Sequence, residues 1–70
     1  MVKQELKATI ARHGERQGDL AKAIGIFPSA LSQKINGKRK FTYPEMKKII
    51  IHYKLSSDEI TKIFFADVVN

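Results

Sequence analysis

Ser29, Gln33 and Asn36 recur at helical spacing between two glycines, Gly25 and Gly37. At about 100° per residue, Leu31 and Ile35 define the inward side of this segment and the three polar residues gather opposite. Ala30 and Lys34 flank one edge of that polar face, and Ser32 flanks the other. Such a face suits hydrogen bonding to a flat, patterned surface. A glutamine amide pairs bidentately with adenine N6 and N7, a serine hydroxyl serves several bases, and an alanine methyl can rest on a thymine methyl. The run that follows, Asn36-Gly37-Lys38-Arg39-Lys40, carries amides and cations suited to phosphate contacts, which position a protein without reading sequence. Lys34, at the end of the same helix, is counted with them. The competing reading of each feature is an ordinary solvated helix face and a solvated basic loop; it is their adjacency that favours the chemistry.

Two short helices must position these residues. Leu20, Ala21 and Ile24 line one face of a helix starting near Gln17 and ending at Gly25, a residue able to take the left-handed conformation of a C-terminal cap. The next helix begins at Pro28, whose missing N–H would be unpaired in a first turn anyway, and ends at Asn36-Gly37. Small Ala21 and Gly25 let the two approach closely. This is the layout of a helix-turn-helix, which lays its second helix in the DNA major groove.

Three further helices complete an all-α reading. Val2, Leu6, Ile10 and His13 form one stripe of a first helix, Val2 to His13, ended by Gly14. Thr42-Tyr43-Pro44-Glu45 is a capping box opening a fourth helix that turns Met46, Ile49, Ile50 and Tyr53 inward. Ser56 and Glu59 repeat the box before a fifth helix with Ile60, Ile63 and Phe64 inward. No segment alternates with period two, and there is no internal repeat or interdomain linker. The expectation is one five-helix domain over residues 1–70.

Charge strengthens the argument by its position. Residues 34–54 hold seven basic residues, Lys34, Lys38, Arg39, Lys40, Lys47, Lys48 and Lys54, against the single acid Glu45, so the chain's whole net charge of +6 sits there. A localised basic patch is the footprint of a polyanion binder. With 70 residues there is little room for a deep substrate pocket. Cysteine is absent, which excludes disulfides and thiolate metal ligands. The longest apolar run, Ile63-Phe64-Phe65-Ala66, falls far short of the about 20 residues of a membrane span. The N-terminus lacks a signal-peptide core. The expected location is cytoplasmic, with no membrane association. His13 and His52 have no metal-motif spacing; His13 reads as a partly buried helix-end residue and His52 as a surface or interface residue. Asp58-Glu59 reads as helix capping, not as an acid–base pair. No catalytic residue, metal ligand or cofactor site is expected.

The segment Arg16 to Phe41 resembles the Cro/repressor-type, lambda-repressor-like helix-turn-helix family of phages and mobile elements. The resemblance rests on Gln17, Leu20-Ala21, Gly25-Ile26, Leu31-Ser32 and Asn36-Gly37-Lys38-Arg39. The later part, Phe41 through Phe65, is similar to small members from Gram-positive phages and integrating elements. The resemblance implies a five-helix domain that binds a two-fold operator in double-stranded DNA as a homodimer, as a transcriptional regulator and specifically a repressor. It implies base reading from Pro28, Ser29, Ser32 and Gln33, and phosphate contacts from Gln17 and the Asn36 to Lys40 region. The chain departs from the family at two caps. Phe27 and Arg16 stand where serine or threonine is usual, and a lost side-chain cap costs about 1 kcal/mol. Pro28 has no side-chain donor or acceptor, which leaves Ser29 and Gln33 as the better readers.

Ile51 and Phe65 do not fit the inward stripes of their helices. Singly exposed apolar residues are normal. The sharper expectation is that Phe65, with Val68 and Val69, forms a dimer contact. The alternative function is a protein-interaction module on the same fold, antitoxin-like or antirepressor-like, for which Ile51 and Phe65 are the support.

Overall fold

The computed structural model describes residues 2–65, with side chains from residue 4 onward. The described residues form five helices and no strand: α1 Val2–Arg12, α2 Gln17–Ile24, α3 Pro28–Ile35, α4 Tyr43–Tyr53 and α5 Ser57–Phe64. None is long and apolar enough to cross a membrane.

Each boundary follows from local chemistry. Gly25 ends α2 at φ 77°, and the Ile26 N–H reaches back to the Ala21 carbonyl at 3.0 Å. This is the paired bonding of a left-handed C-terminal cap, with half-buried Ile26 as its apolar contact on the core. Gly37 closes α3 in the same way at φ 82°, with the Lys38 N–H on the Gln33 carbonyl at 2.9 Å. Both expected capping boxes form. The Thr42 hydroxyl accepts from the Glu45 N–H while the Glu45 carboxylate accepts from the Thr42 N–H, and Ser56 and Glu59 do the same for α5. At α2 the arginine supplies no side-chain cap, but the Asp19 carboxylate accepts the Arg16 N–H at 2.9 Å, so half of a box survives. At α3 no side chain caps the helix, and Pro28 occupies its first turn.

The core is Leu6, Ile10, Leu20, Ala21, Ile24, Leu31, Ile35, Ile49, Tyr53, Leu55 and Ile63, with Ile26, Phe41, Ile50, Ile60 and Phe64 packed around it. α2 packs on α3 and α4, and α1 bridges α2, α3 and α5. The Cα radius of gyration is 11.0 Å, matching the about 11 Å of a compact chain of this size. Phe41 meets Phe64 edge to face at 5.9 Å, pinning the end of the α3–α4 loop to α5.

Two details of α1 differ from the sequence expectation. His13 lies beyond the helix end and is exposed, with one ring face stacked on Tyr53 at 4.5 Å. The buried position between Leu6 and Ile10 belongs to Thr9, whose hydroxyl donates to the Glu5 carbonyl at 2.9 Å and so enters the core with its polar atom satisfied.

Candidate nucleic-acid interface

α3 turns Leu31 and Ile35 into the core, and this fixes what the rest of the helix offers. Pro28, Ser29, Gln33 and Asn36 are exposed, and Ala30 and Ser32 are half-buried along the edges. Asn36 leans on Ser32, its Nδ2 donating to Oγ at 3.4 Å, so part of the polar face is internally tethered. Gln33 carries no such side-chain tether and is the longest free donor–acceptor group on this face.

The basic loop is held to this helix through its backbone. The Lys38 and Arg39 N–H groups both converge on the Gln33 carbonyl, at 2.9 and 3.3 Å. The backbone of Lys38 and Arg39 is therefore held at the C-terminal end of α3 beside Gln33, with the Lys38, Arg39 and Lys40 side chains exposed. Gln17, half-buried, sits at the first turn of α2.

Lys34 departs from the phosphate-contact expectation. Its side chain is buried, and Nζ donates to Glu45 Oε1 at 2.5 Å and, at longer range, to the Lys40 carbonyl at 3.4 Å. The same Glu45 oxygen accepts the Thr42 N–H at 2.8 Å. One carboxylate thus caps α4, neutralises Lys34 and, through Lys34, holds the loop at Lys40. Burial pushes the Glu45 carboxyl up, but the hydrogen bonds from Lys34 and Thr42 outweigh it and hold the group below the usual carboxylate range. The physical reason for the correction is register: Lys34 lies beside Leu31 and Ile35 on the flank facing α4, not on the outer face.

A second cluster ties the α1–α2 loop to the end of α4. Glu15 Oε1 accepts from the Tyr53 hydroxyl at 2.7 Å, and His52 Nε2 lies 3.1 Å from both Glu15 oxygens. The Tyr53 and His52 hydrogen bonds hold the Glu15 carboxyl below its ordinary value. Burial and the facing carboxylate push the Tyr53 hydroxyl well above its own. His52 is thus exposed but tethered. A groove of about 210 Å³ between α1 and α5 sets Arg12 and Lys62 against Glu5 and Glu59, so its charges cancel. Among the described residues no three potential metal ligands converge.

Large apolar side chains remain exposed at Phe27 (80%), Tyr43, Ile51 (64%) and Phe65 (43%). Phe27 and Tyr43 stand at the N-terminal ends of α3 and α4. Val68 and Val69, expected beside Phe65 in a dimer contact, lie outside the described residues. No family model, curated protein or solved structure matches the chain.

Proposed function

We propose that this chain is a sequence-specific binder of double-stranded DNA, a helix-turn-helix transcription regulator of the Cro/repressor type. In this reading α3 lies in the major groove, with Ser29 and Gln33 as the principal base readers and Pro28 and Ser32 beside them. Gln17, Asn36, Lys38, Arg39 and Lys40 take phosphates. The observation that carries the reading is the junction of α3 with its loop: Gln33 presents an exposed, untethered side chain while its backbone carbonyl accepts the Lys38 and Arg39 N–H groups at the start of a tri-cationic run. Base edges and phosphates lie side by side along a groove, and this junction offers the matching groups side by side.

A homodimer would set two copies of α3 about 34 Å apart on a pseudopalindromic operator. Within this reading the regulator acts in the cytoplasm as a repressor, by occupying a promoter. The test is selection of bound duplexes from a random library at about 150 mM salt, which suppresses purely electrostatic binding. An enriched inverted repeat with half-sites one turn apart supports the reading; recovery of unselected sequence refutes it.

Ile51 and Phe65, both exposed, favour a second reading, an antitoxin-like or antirepressor-like module that holds a protein partner. Co-purification with a toxin or another regulator, abolished by Ile51→Asp, would favour it. Sedimentation of Phe65→Asp against wild type tests the dimer contact, and identical monomer–dimer behaviour removes Phe65 from it.

A further inference from the structure

We infer that Phe27 is a specificity-determining residue that reads a thymine methyl at the leading end of α3. The inference rests on the proposed DNA-binding role and adds to it an apolar reader that polar-face reasoning does not supply.

Phe27 occupies the N-cap position of α3, with extended backbone at φ −70° and ψ 147°. Its ring is 80% exposed, the most open of the large apolar side chains described. It neither caps the helix nor packs on the core. A residue that caps would stabilise α3 at this position; a phenylalanine leaves the first-turn N–H groups without a side-chain acceptor and sets an unpaired ring in water. Folding therefore gains nothing visible from this residue type, and the ring's position becomes its distinguishing property.

That position is where a groove-bound helix meets the bases. The N-terminal residues of a helix in the major groove approach base edges most closely. The only apolar group a base pair presents there is the C5-methyl of thymine, and phenylalanine is among the side chains that contact it. Pro28 follows directly and offers no side-chain hydrogen bond, so the first two residues of this edge are both apolar. Ser29, next along the chain, begins the polar readout. The proposed half-site thus carries a thymine at the position facing the start of α3, with hydrogen-bonded positions following it toward Gln33.

The experiment replaces thymines by deoxyuridine, one at a time, in a duplex recovered by selection with the full chain. This removes a single methyl and leaves every base-edge donor and acceptor in place. The proteins are wild type, Phe27→Ala and Phe27→Ser; the site is exposed, so both variants keep the fold, which circular dichroism checks. Burial of one methyl predicts about a fourfold loss of wild-type affinity at one thymine of each half-site. Both variants should be indifferent to that replacement while keeping the wild-type hydrogen-bonded positions. If the recovered site binds well but no deoxyuridine replacement distinguishes wild type from the variants, the assignment of Phe27 is overturned and the DNA-binding reading stands. If selection recovers no site at all, both fall together.

Discussion

Removing the Glu45 carboxylate should cost more than removing its lysine partner, although the two share one ion pair. Their side chains are 16% and 6% exposed, so the pair is largely withdrawn from water. In Glu45→Ala the Lys34 ammonium keeps only the 3.4 Å contact to the Lys40 carbonyl. Breaking a buried pair by removing one partner costs about 3–5 kcal/mol. The partial access of water here argues for a value at or just below that range, about 2–3 kcal/mol. Loss of the acceptor for the Thr42 N–H adds about 1 kcal/mol, as for other caps. In Lys34→Met the Glu45 carboxylate loses its countercharge but retains the Thr42 N–H, and it is the more exposed partner, 16% against 6%. The methionine stem stays packed and the carboxylate can take up a proton, so the cost should be smaller, about 1–2 kcal/mol. A chain of this size has about 4–10 kcal/mol of total stability, so Glu45→Ala should lower the melting temperature by more than 10 °C, at about 4–8 °C per kcal/mol. Urea unfolding followed by far-ultraviolet circular dichroism, run on both single variants and the double variant, measures the asymmetry. In the double variant the stranded ammonium is gone, and stability should recover toward that of Lys34→Met. Equal, small costs for the two single variants would show that Lys34 is solvated, and the account of the clamp would be wrong.

Lys34→Met should also leave the salt dependence of DNA binding intact, whereas Lys38→Ala should reduce the slope of log affinity against log salt by about 0.9; equal slopes would return Lys34 to the phosphate contacts. Gln33→Ala should relax discrimination at one base pair per half-site by about 1–3 kcal/mol, while Lys38→Ala weakens binding to a panel of sequences alike. The carboxyls of Glu15, Glu45 and Glu59 all lie below their ordinary value of 4.5 in the folded chain. Their stabilising contribution is therefore present above about pH 4.5 and lost as pH falls through the folded values; acid titration of stability should show this limb, flattened in Glu15→Gln. The Tyr53 hydroxyl is raised above 10.0, so its contribution is present below that pH and declines at higher pH; Tyr53→Phe should remove this alkaline limb. Lys54 closes α4 at φ 52°, a left-handed conformation that costs a side-chain-bearing residue about 1–2 kcal/mol. Lys54→Gly should raise stability by about 0.5–1 kcal/mol in urea unfolding, after glycine's larger entropy loss is set against that strain.

Features legible in the sequence were those whose cause lies within a few residues. Gly25, Thr42 with Glu45, and Ser56 with Glu59 set helix ends through bonds spanning three to five positions, so type and spacing sufficed. The inward stripes of α2 and α3 were equally readable, because a helix displays its burial as periodicity. Thr9 was not, since its burial depends on a hydroxyl bonded to its own helix. Leu55 was not either, because it enters the core through the reversal after Lys54 and belongs to no helical stripe. Asp19 was missed, although an acid at the third position of α2 is the sign of the half-box that replaces the missing Arg16 cap. On the candidate interface, the exposure of Ser29 and Gln33 followed from the stripe opposite them, and that of Lys38–Lys40 from their charge in a loop after the helix end.

Lys34 shows where such reading stops, and what its burial accomplishes. Its partner lies 11 positions away, on another helix, in a residue already explained as a cap. A local motif that accounts fully for Glu45 conceals its long-range role. The pairing also changes the electrostatics of the region without changing its charge. Residues 34–54 carry one acid, and the clamp withdraws that acid together with one lysine. Lys38, Arg39, Lys40, Lys47, Lys48 and Lys54 remain, all exposed, with no acidic residue of the segment left among them. Screening shortens the reach of exposed charges to about 8 Å at physiological salt, so it is such local composition that a phosphate would meet. In the proposed DNA-binding reading, Lys34 would serve the phosphate contacts indirectly: it anchors the loop and neutralises the segment's one carboxylate.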